Sequence, residues 1–86
     1  MPPNDPPAGE YQRWVCWHPD LGYLRFNSYS TVTPSSGPGG ATLFTRRPNA
    51  EMRLTVPFYH GQKSYPGETL TVRLVRFSWQ TVPETT

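Results

Sequence analysis

The side chains in this chain that could do chemistry are a single cysteine and two histidines. Cys16, His18 and Asp20 stand at alternate positions, and His60 lies far along the chain. In a strand that runs into a turn, Cys16 and His18 would share one face. Zinc sites usually combine two pairs of ligands, whereas this chain offers one thiolate, and no nucleophile motif surrounds it. We therefore predict no metal site and no nucleophilic active site.

Acid–base and phosphate chemistry find no better support in the sequence. The six acidic residues fall mostly in turn-forming and terminal segments, so no pair of carboxylates is predicted to face a substrate. The glycine-rich segment 37–40, GPGG, lacks the lysine and the helix that follow a phosphate-binding loop. We predict a protein that is not an enzyme and that binds no cofactor.

Aromatic and arginine side chains are the more informative group. Aromatics make up 14% of the chain, isoleucine is absent, and all but one of the eight basic residues are arginine. Part of this set replaces aliphatic side chains in the core, but tyrosine, tryptophan and arginine are also enriched at protein interfaces. The sequence predicts the following interface residues: Trp14, Trp17, Tyr59, Arg76, Phe77 and Trp79.

Length and charge limit the classes of function. A chain of 86 residues forms one domain at most, and it buries roughly 60% of the surface that its unfolded form exposes. The net charge of +2 comes from basic residues spread along the sequence, a pattern that disfavours nucleic acid as a partner. One cysteine favours a reducing compartment, and no apolar run approaches the ~20 residues of a membrane helix. We expect a soluble intracellular protein without a membrane partner, or a virion component if the chain is viral.

Alternating apolar and polar residues predict an all-β fold of about five short antiparallel strands and no helices. The strands are expected at residues 11–17, 22–29, 41–45, 52–58 and 69–79. Turns are expected at 18–22, 46–49 and 65–67, the last as a type II turn in which Gly67 has a positive φ. Residues 1–10 and 81–86 are expected to be extended arms around one β-sandwich domain, residues 11–80, with a flexible loop at 30–40.

The hairpin at residues 51–79 is the best-defined unit, and its second strand has an irregular pattern. Its apolar residues change face halfway, since Leu70, Val72 and Leu74 precede Val75, Phe77 and Trp79. Either a β-bulge near residues 74–75 shifts the pattern, or the second half of the strand is buried on its other face. In the second case Phe77 and Trp79 would contact a separate subunit.

Residues 49–58, NAEMRLTVPF, resemble the strand of picornavirus-like capsid proteins that ends in a Val-Pro-Tyr or Val-Pro-Phe signature. In that family a loop and another β-rich strand follow, as residues 69–75 follow here. The resemblance covers residues 49–75, roughly a third of the chain. It implies a jelly-roll β-sandwich that assembles into an icosahedral shell, with extended termini running over neighbouring subunits. A complete jelly roll has eight strands, so this chain would be a fragment, a small capsid chain or a partial jelly roll that another polypeptide completes.

Three functions remain open from the sequence. The favoured one is a structural assembly subunit, a viral capsid-type coat protein or a fragment of one. It would pack against other protein subunits, in a homo- or hetero-oligomer, through aromatic and arginine surfaces and extended arms. The alternative is a small β-sandwich binding module for a carbohydrate or a peptide, with exposed aromatic side chains as its platform. A third is nucleic-acid binding through arginines and aromatics, with an affinity that falls steeply as salt rises.

Overall fold

The computed structural model describes residues 8–81 as a mostly β, antiparallel fold. Within these residues the strands are β1 (Ala8–His18), β2 (Gly22–Phe26), β3 (Val32–Ser35), β4 (Phe58–His60), β5 (Lys63–Tyr65) and β6 (Thr71–Gln80). One four-stranded sheet has the order β3-β2-β1-β6, and β4 and β5 form a separate hairpin. The helical segments are α1 (Arg47–Glu51) and three 3-10 turns, Pro38–Gly40, Met52–Thr55 and Gly67–Thr69. No helix in the described part of the chain is long and apolar enough to cross a membrane.

The longest pairing in the fold joins β1 and β6. Every residue from Ala8 to Trp17 lies opposite a residue of β6, with Ala8 facing Gln80 and Trp17 facing Thr71. Because no residue is left unpaired between these ends, the β-bulge expected in this strand is absent. Leu74 is instead 48% exposed. The apolar residues of β6 change face because the outer half of the β1–β6 pair extends away from the core.

The connection from β1 to β2 forms as predicted, whereas the next segment does not. Gly22 ends the turn with a φ of 83°, a conformation that glycine adopts without steric cost. β2 ends at Phe26 rather than at residue 29, and β3 lies inside the segment that was expected to be a flexible loop. Pro34 is tolerated in β3 because this strand is at the edge of the sheet, where an N–H can be missing.

Residues 41–45 do not form the predicted strand. Phe44 alone makes a strand-like pair, exchanging two backbone hydrogen bonds with Trp14 at 2.8 and 2.9 Å. The Thr42 N–H donates to the Leu24 carbonyl at 3.2 Å. The segment therefore bonds to β1 on one side and to β2 on the other. It bonds to residues of these strands that lie outside their direct pairing, which is limited to residues 17–18 and 22–23.

The core lies against the side of the sheet that carries the even-numbered residues of β1, β2, β3 and β6. Its buried members are Cys16, Leu24, Val32, Ala50, Phe58, Tyr65 and Leu70. α1 and the β4–β5 hairpin supply the opposing layer through Ala50, Phe58 and Tyr65. The Phe58 and Tyr65 rings stack at 5.1 Å, and the His18 ring meets both of them edge-on. Aromatic packing thus replaces the absent isoleucines, as the composition indicated.

Residues 52–58 depart most from the sequence prediction, which placed a strand there. The chain is helical through α1 and the 3-10 turn that follows, and it becomes extended only at Val56. Pro48 stands in the first turn of α1, where its missing N–H is not needed. Arg47 and Glu51 form an ion pair one helical turn apart. The prediction that the fold has no helices is therefore wrong.

Three smaller boundaries also differ from the sequence prediction. The turn expected at 46–49 is the first turn of α1. Gly67 has no positive φ and begins a 3-10 turn, so the turn there is not type II. Residues 8–10, expected in the N-terminal arm, belong to β1. The rest of that arm, and all but the first residue of the C-terminal arm, lie outside the described residues.

Gly67 lies where two backbone segments approach each other closely. A Cβ atom at this position would lie 2.7 Å from the Arg53 carbonyl oxygen, 2.8 Å from that of Leu54 and closer still to that of Val56. These are backbone atoms and cannot rotate away as a side chain can. We predict that Gly67→Ala lowers the free energy of unfolding by at least about 2 kcal/mol, as overpacked sites do. Urea denaturation monitored by tryptophan fluorescence measures this change.

Gly39→Ala is the matched control, because no atom lies within 4 Å of the Cβ position there. Its free energy of unfolding should stay within about 0.5 kcal/mol of the wild-type value. Equal free energies of unfolding for the two alanine variants would contradict the close packing of the 3-10 turn 52–55 against Gly67.

Candidate binding surface

The single thiol is buried in the core rather than presented in a cleft. Cys16 has no exposed surface, and its Sγ lies 3.7 Å from the Ala50 carbonyl oxygen. Burial raises the pKa of this thiol to about 11, although the positive charge of Arg53 opposes the shift. Because the thiolate is the nucleophilic form, this cysteine is suited to packing and not to catalysis.

The two histidines also occupy structural positions. Cys16 and His18 share the even-numbered side of β1, as expected, but His18 is only 3% exposed, and its Nδ1 accepts the Asp20 N–H at 3.1 Å. His60 lies on β4, with its Nδ1 3.3 Å from the Val32 carbonyl oxygen. Among residues 8–81 no three His, Cys, Asp or Glu side chains are grouped so that they could hold a metal ion.

The opposite side of the large sheet carries a different set of side chains. Directly opposite residues of β1 and β6 share a face, so the odd-numbered residues of both strands lie together. Tyr23 and Arg25 join them, because Trp17 faces Tyr23 in the β1–β2 pairing. We call this surface the aromatic–arginine face and define it by Tyr11, Arg13, Trp17, Tyr23, Arg25, Arg73, Phe77 and Trp79.

Side chains within this face pack on one another. The Tyr11 and Phe77 rings stack at 5.3 Å with an interplanar angle of 16°. The Arg13 guanidinium lies 4.9 Å from the Tyr11 ring centre, and that of Arg73 lies 3.8 Å from the Trp17 ring centre. Val15, between them on β1, is fully buried although it is not part of the core cluster. The long side chains of this face therefore cover it.

The aromatic–arginine face continues to the outer end of the β1–β6 pair. The Trp79 indole lies over Gly9, where a Cβ atom would come within 2.7 Å of the indole Nε1. Trp79 is 41% exposed and Tyr11 is 37% exposed, so both rings are partly open to solvent. Eight residue steps separate Gly9 from Trp17, which at the rise of a strand gives a face about 27 Å long.

The charge of this face is uniformly positive. Arg13, Arg25 and Arg73 are its charged members, and no carboxylate stands at an odd-numbered position of β1, β2, β3 or β6. The acidic residues in the described part of the chain lie elsewhere: Glu10, Asp20, Glu51 and Glu68. Arginines that are scattered along the sequence thus converge on one side of the sheet.

The outer edge of β6 is the second exposed feature. Trp14 exchanges its backbone hydrogen bonds with Phe44, on the side of β1 that faces away from β6. Because backbone groups alternate in direction along a strand, the odd-numbered residues of β1 and β6 bond to each other. The N–H and C=O groups of Leu74, Arg76 and Ser78 therefore point outward. We call the outward side of residues 73–80 the free edge of β6.

The structure brings together only half of the interface residues predicted from the sequence. Trp17, Phe77 and Trp79 lie on the aromatic–arginine face. Trp14 packs at the margin of the core, and Arg76 lies on the opposite side of β6, 3.9 Å from Glu10.

The remaining predicted residue, Tyr59, lies on β4, outside the face. Tyr11, Arg13 and Arg73 also lie on the face, although residue type and spacing did not identify them. An antiparallel register between the predicted strands 11–17 and 69–79 places these three residues on one face.

The described residues also form a groove beside the β4–β5 hairpin. It has a volume of about 520 Å³, lies between residues 54–57 and 64–68, and holds Glu68 as its only ionisable side chain. Comparisons with protein-family models, curated proteins and solved structures gave no match to this chain. The two surfaces themselves are therefore the basis for a function.

The environment of Cys16 leads to a prediction about its reactivity. At pH 8 a thiol with a pKa of about 11 holds about a hundredth of the thiolate that it holds at the ordinary value of 9.0. We predict that the folded protein reacts with iodoacetamide at least about 100-fold more slowly than the urea-unfolded chain. Mass spectrometry of timed samples measures both rates. Equal rates in the two states would contradict the burial of this side chain.

Proposed function

We propose that this chain is a structural, non-enzymatic assembly subunit that joins other protein chains by antiparallel strand pairing at the free edge of β6. The observation that carries this proposal is the long, regular outer edge of β6, with which no other strand of residues 8–81 pairs. An exposed edge strand presents backbone donors and acceptors that pair readily with a strand from another chain.

β6 has few of the features that usually protect an edge strand. Its sequence, TVRLVRFSWQ, contains no proline and no lysine, and the ladder has no bulge that would twist the edge away. Arg73 and Arg76 are its only charges. Within residues 8–81, the core cluster takes only Val72 from β6 and Leu70 just before it, so this core does not extend to the outer half of the strand.

The partner that we propose for this edge is a second copy of the same chain, related by a two-fold axis. If Phe77 of one copy faces Phe77 of the other, the paired residues all lie within the free edge. Val75 of each copy then lies opposite Trp79 of the other copy. This register also opposes Arg76 with Ser78, so no like charges face each other. A register centred on Arg76 would place two arginines directly opposite and is disfavoured. Apolar and aromatic cross-strand pairs therefore support the Phe77 register.

A viral coat protein is the particular assembly that the capsid resemblance implies, and we retain it as a proposal. The stretch that carries the resemblance, residues 49–58, spans part of α1, the next 3-10 turn and the start of β4 instead of one strand. Support for an assembly role therefore comes from β6, and support for a coat protein comes from the sequence resemblance. A jelly-roll-like sandwich would further require a second sheet on the aromatic–arginine face.

Ser78→Pro should abolish self-assembly and leave the fold intact. The N–H of Ser78 points away from β1, so proline removes no bond from the β1–β6 ladder but removes one that the second copy needs. We expect wild-type protein at high concentration to sediment as a dimer or a larger species. Ser78→Pro should sediment as a monomer with an unchanged circular dichroism spectrum.

Ser78→Ala is the matched control for this experiment, since it loses the same hydroxyl and keeps the N–H. It should assemble like the wild type. Monomeric wild-type protein at all concentrations, or assembly of Ser78→Pro equal to that of Ser78→Ala, would refute strand pairing at this edge.

A further inference from the structure

We infer that the aromatic–arginine face binds single-stranded nucleic acid. This inference does not depend on self-assembly at the free edge of β6, because it rests on side chains of the sheet face and not on the backbone of its edge.

The charge of the face favours a polyanion. Arg13, Arg25 and Arg73 lie on it without a carboxylate among the odd-numbered residues of the four strands. By contrast, two of the arginines on other surfaces have acidic neighbours, since Arg47 contacts Glu51 and Arg76 lies 3.9 Å from Glu10. The three arginines of the face are thus placed to contact phosphates, which dominate the affinity of proteins for nucleic acids.

The aromatic rings favour unpaired bases over other anionic groups. Trp79 and Tyr11 are about two-fifths exposed, and they lie at the outer end of a row that continues through Phe77 towards Trp17. Proteins that bind single strands without sequence preference combine such rings with a positively charged path for the backbone. Bases in a duplex are stacked on each other and cannot use these rings, so the face should discriminate against double strands.

The shape of the sheet is compatible with an extended strand. The face is about 27 Å long and unbroken by a bulge or a proline along β1 and β6. The arginines flank the rings, with the Arg73 guanidinium 3.8 Å from Trp17 and 6.0 Å from the ring centre of Tyr23. Arg13 and Arg73 can therefore each stabilise a ring and a phosphate at the same point along the strand.

Assembly through the edge of β6 and binding on the face are geometrically compatible. Strand pairing occurs in the plane of the sheet, whereas the face points out of that plane. In the two-fold arrangement centred on Phe77, the faces of both copies lie on the same side of a continuous sheet. Self-assembly would thus lengthen the binding surface and leave it open.

The test is a titration of the protein with fluorescein-labelled oligothymidine of about 12 nucleotides, a length that a domain of this size can cover. We expect a rise in anisotropy at about 50 mM salt and weaker binding at about 200 mM salt. The logarithm of the binding constant should fall with the logarithm of salt concentration with a slope of about −2, as three phosphate contacts to a single strand predict.

Two pairs of variants identify the surface. Trp79→Ala should weaken binding at least about fivefold through lost base stacking, whereas Tyr59→Ala, an exposed ring outside the face, should leave it unchanged. Arg13→Gln combined with Arg73→Gln should lower the magnitude of the salt slope by about 1.4. Arg76→Gln, on the opposite side of β6, should leave the slope unchanged. Circular dichroism and urea denaturation establish that each variant is folded.

Four results would overturn the inference. The first is wild-type protein that does not bind oligothymidine even at low salt. The second is binding that Arg76→Gln and Tyr59→Ala weaken as much as the variants of the face do. The third is equal affinity for a duplex of the same length or for poly-glutamate, which would indicate a surface for any polyanion or for an acidic protein. The fourth is oligothymidine binding that Trp79→Ala leaves unchanged, because base stacking on the face would then make no contribution.

Discussion

The unbroken pairing of β1 with β6 is the constraint on which the rest of this structure depends. Because the ladder contains no extra residue, each odd-numbered residue of one strand faces an odd-numbered residue of the other along its whole length. The core side therefore collects Cys16 and Val72, and the opposite side collects arginines and aromatics. A single bulge would have mixed the two sets. The same regularity leaves the outward backbone groups of β6 at every second residue along its outer edge.

Because the core is small, it stabilises only the inner halves of β1 and β6, and other contacts stabilise their outer ends. Inner residues are fixed by the layer that Phe58, Tyr65 and Ala50 provide. Farther out, the Tyr11–Phe77 stack, the Trp79 indole over Gly9 and the arginine–ring contacts replace that layer. Such arginine–ring contacts contribute about 0.5–1 kcal/mol each at exposed sites, enough to order a surface but less than a packed core provides. A surface of this kind remains open for a ligand.

The sequence predicts the elements whose signals agree and fails where they compete. β1, the turn at Gly22 and β6 follow from long alternating runs and a well-placed glycine. The strand predicted at 52–58 failed because four alternating apolar residues also fit a short helix followed by an extended segment, and Pro48 was read as a turn signal instead of a helix start. β3 escaped notice because its sequence, VTPS, lies in a stretch rich in serine, proline and glycine.

The binding surface was harder to predict than the strands, because it depends on register. Arg13 and Arg73 are distant in sequence, and a count of basic residues along the chain makes them appear dispersed. Only the β1–β6 register places both on one face, and only the Trp14–Phe44 hydrogen bonds show which backbone groups of β6 point outward. Trp17, Phe77 and Trp79 were identifiable from residue type and alternation, whereas their neighbours required the paired strand.

Amide hydrogen exchange along β6, followed by NMR in dilute and concentrated samples, tests this account most directly. The N–H groups of Arg73, Val75 and Phe77 should be protected at every concentration, because they bond to β1. Those of Leu74, Arg76 and Ser78 should exchange freely in the dilute sample and become protected in the concentrated one. Protection of these three amides at all dilutions would contradict the open edge. Free exchange of the Val75 amide would contradict the β1–β6 register.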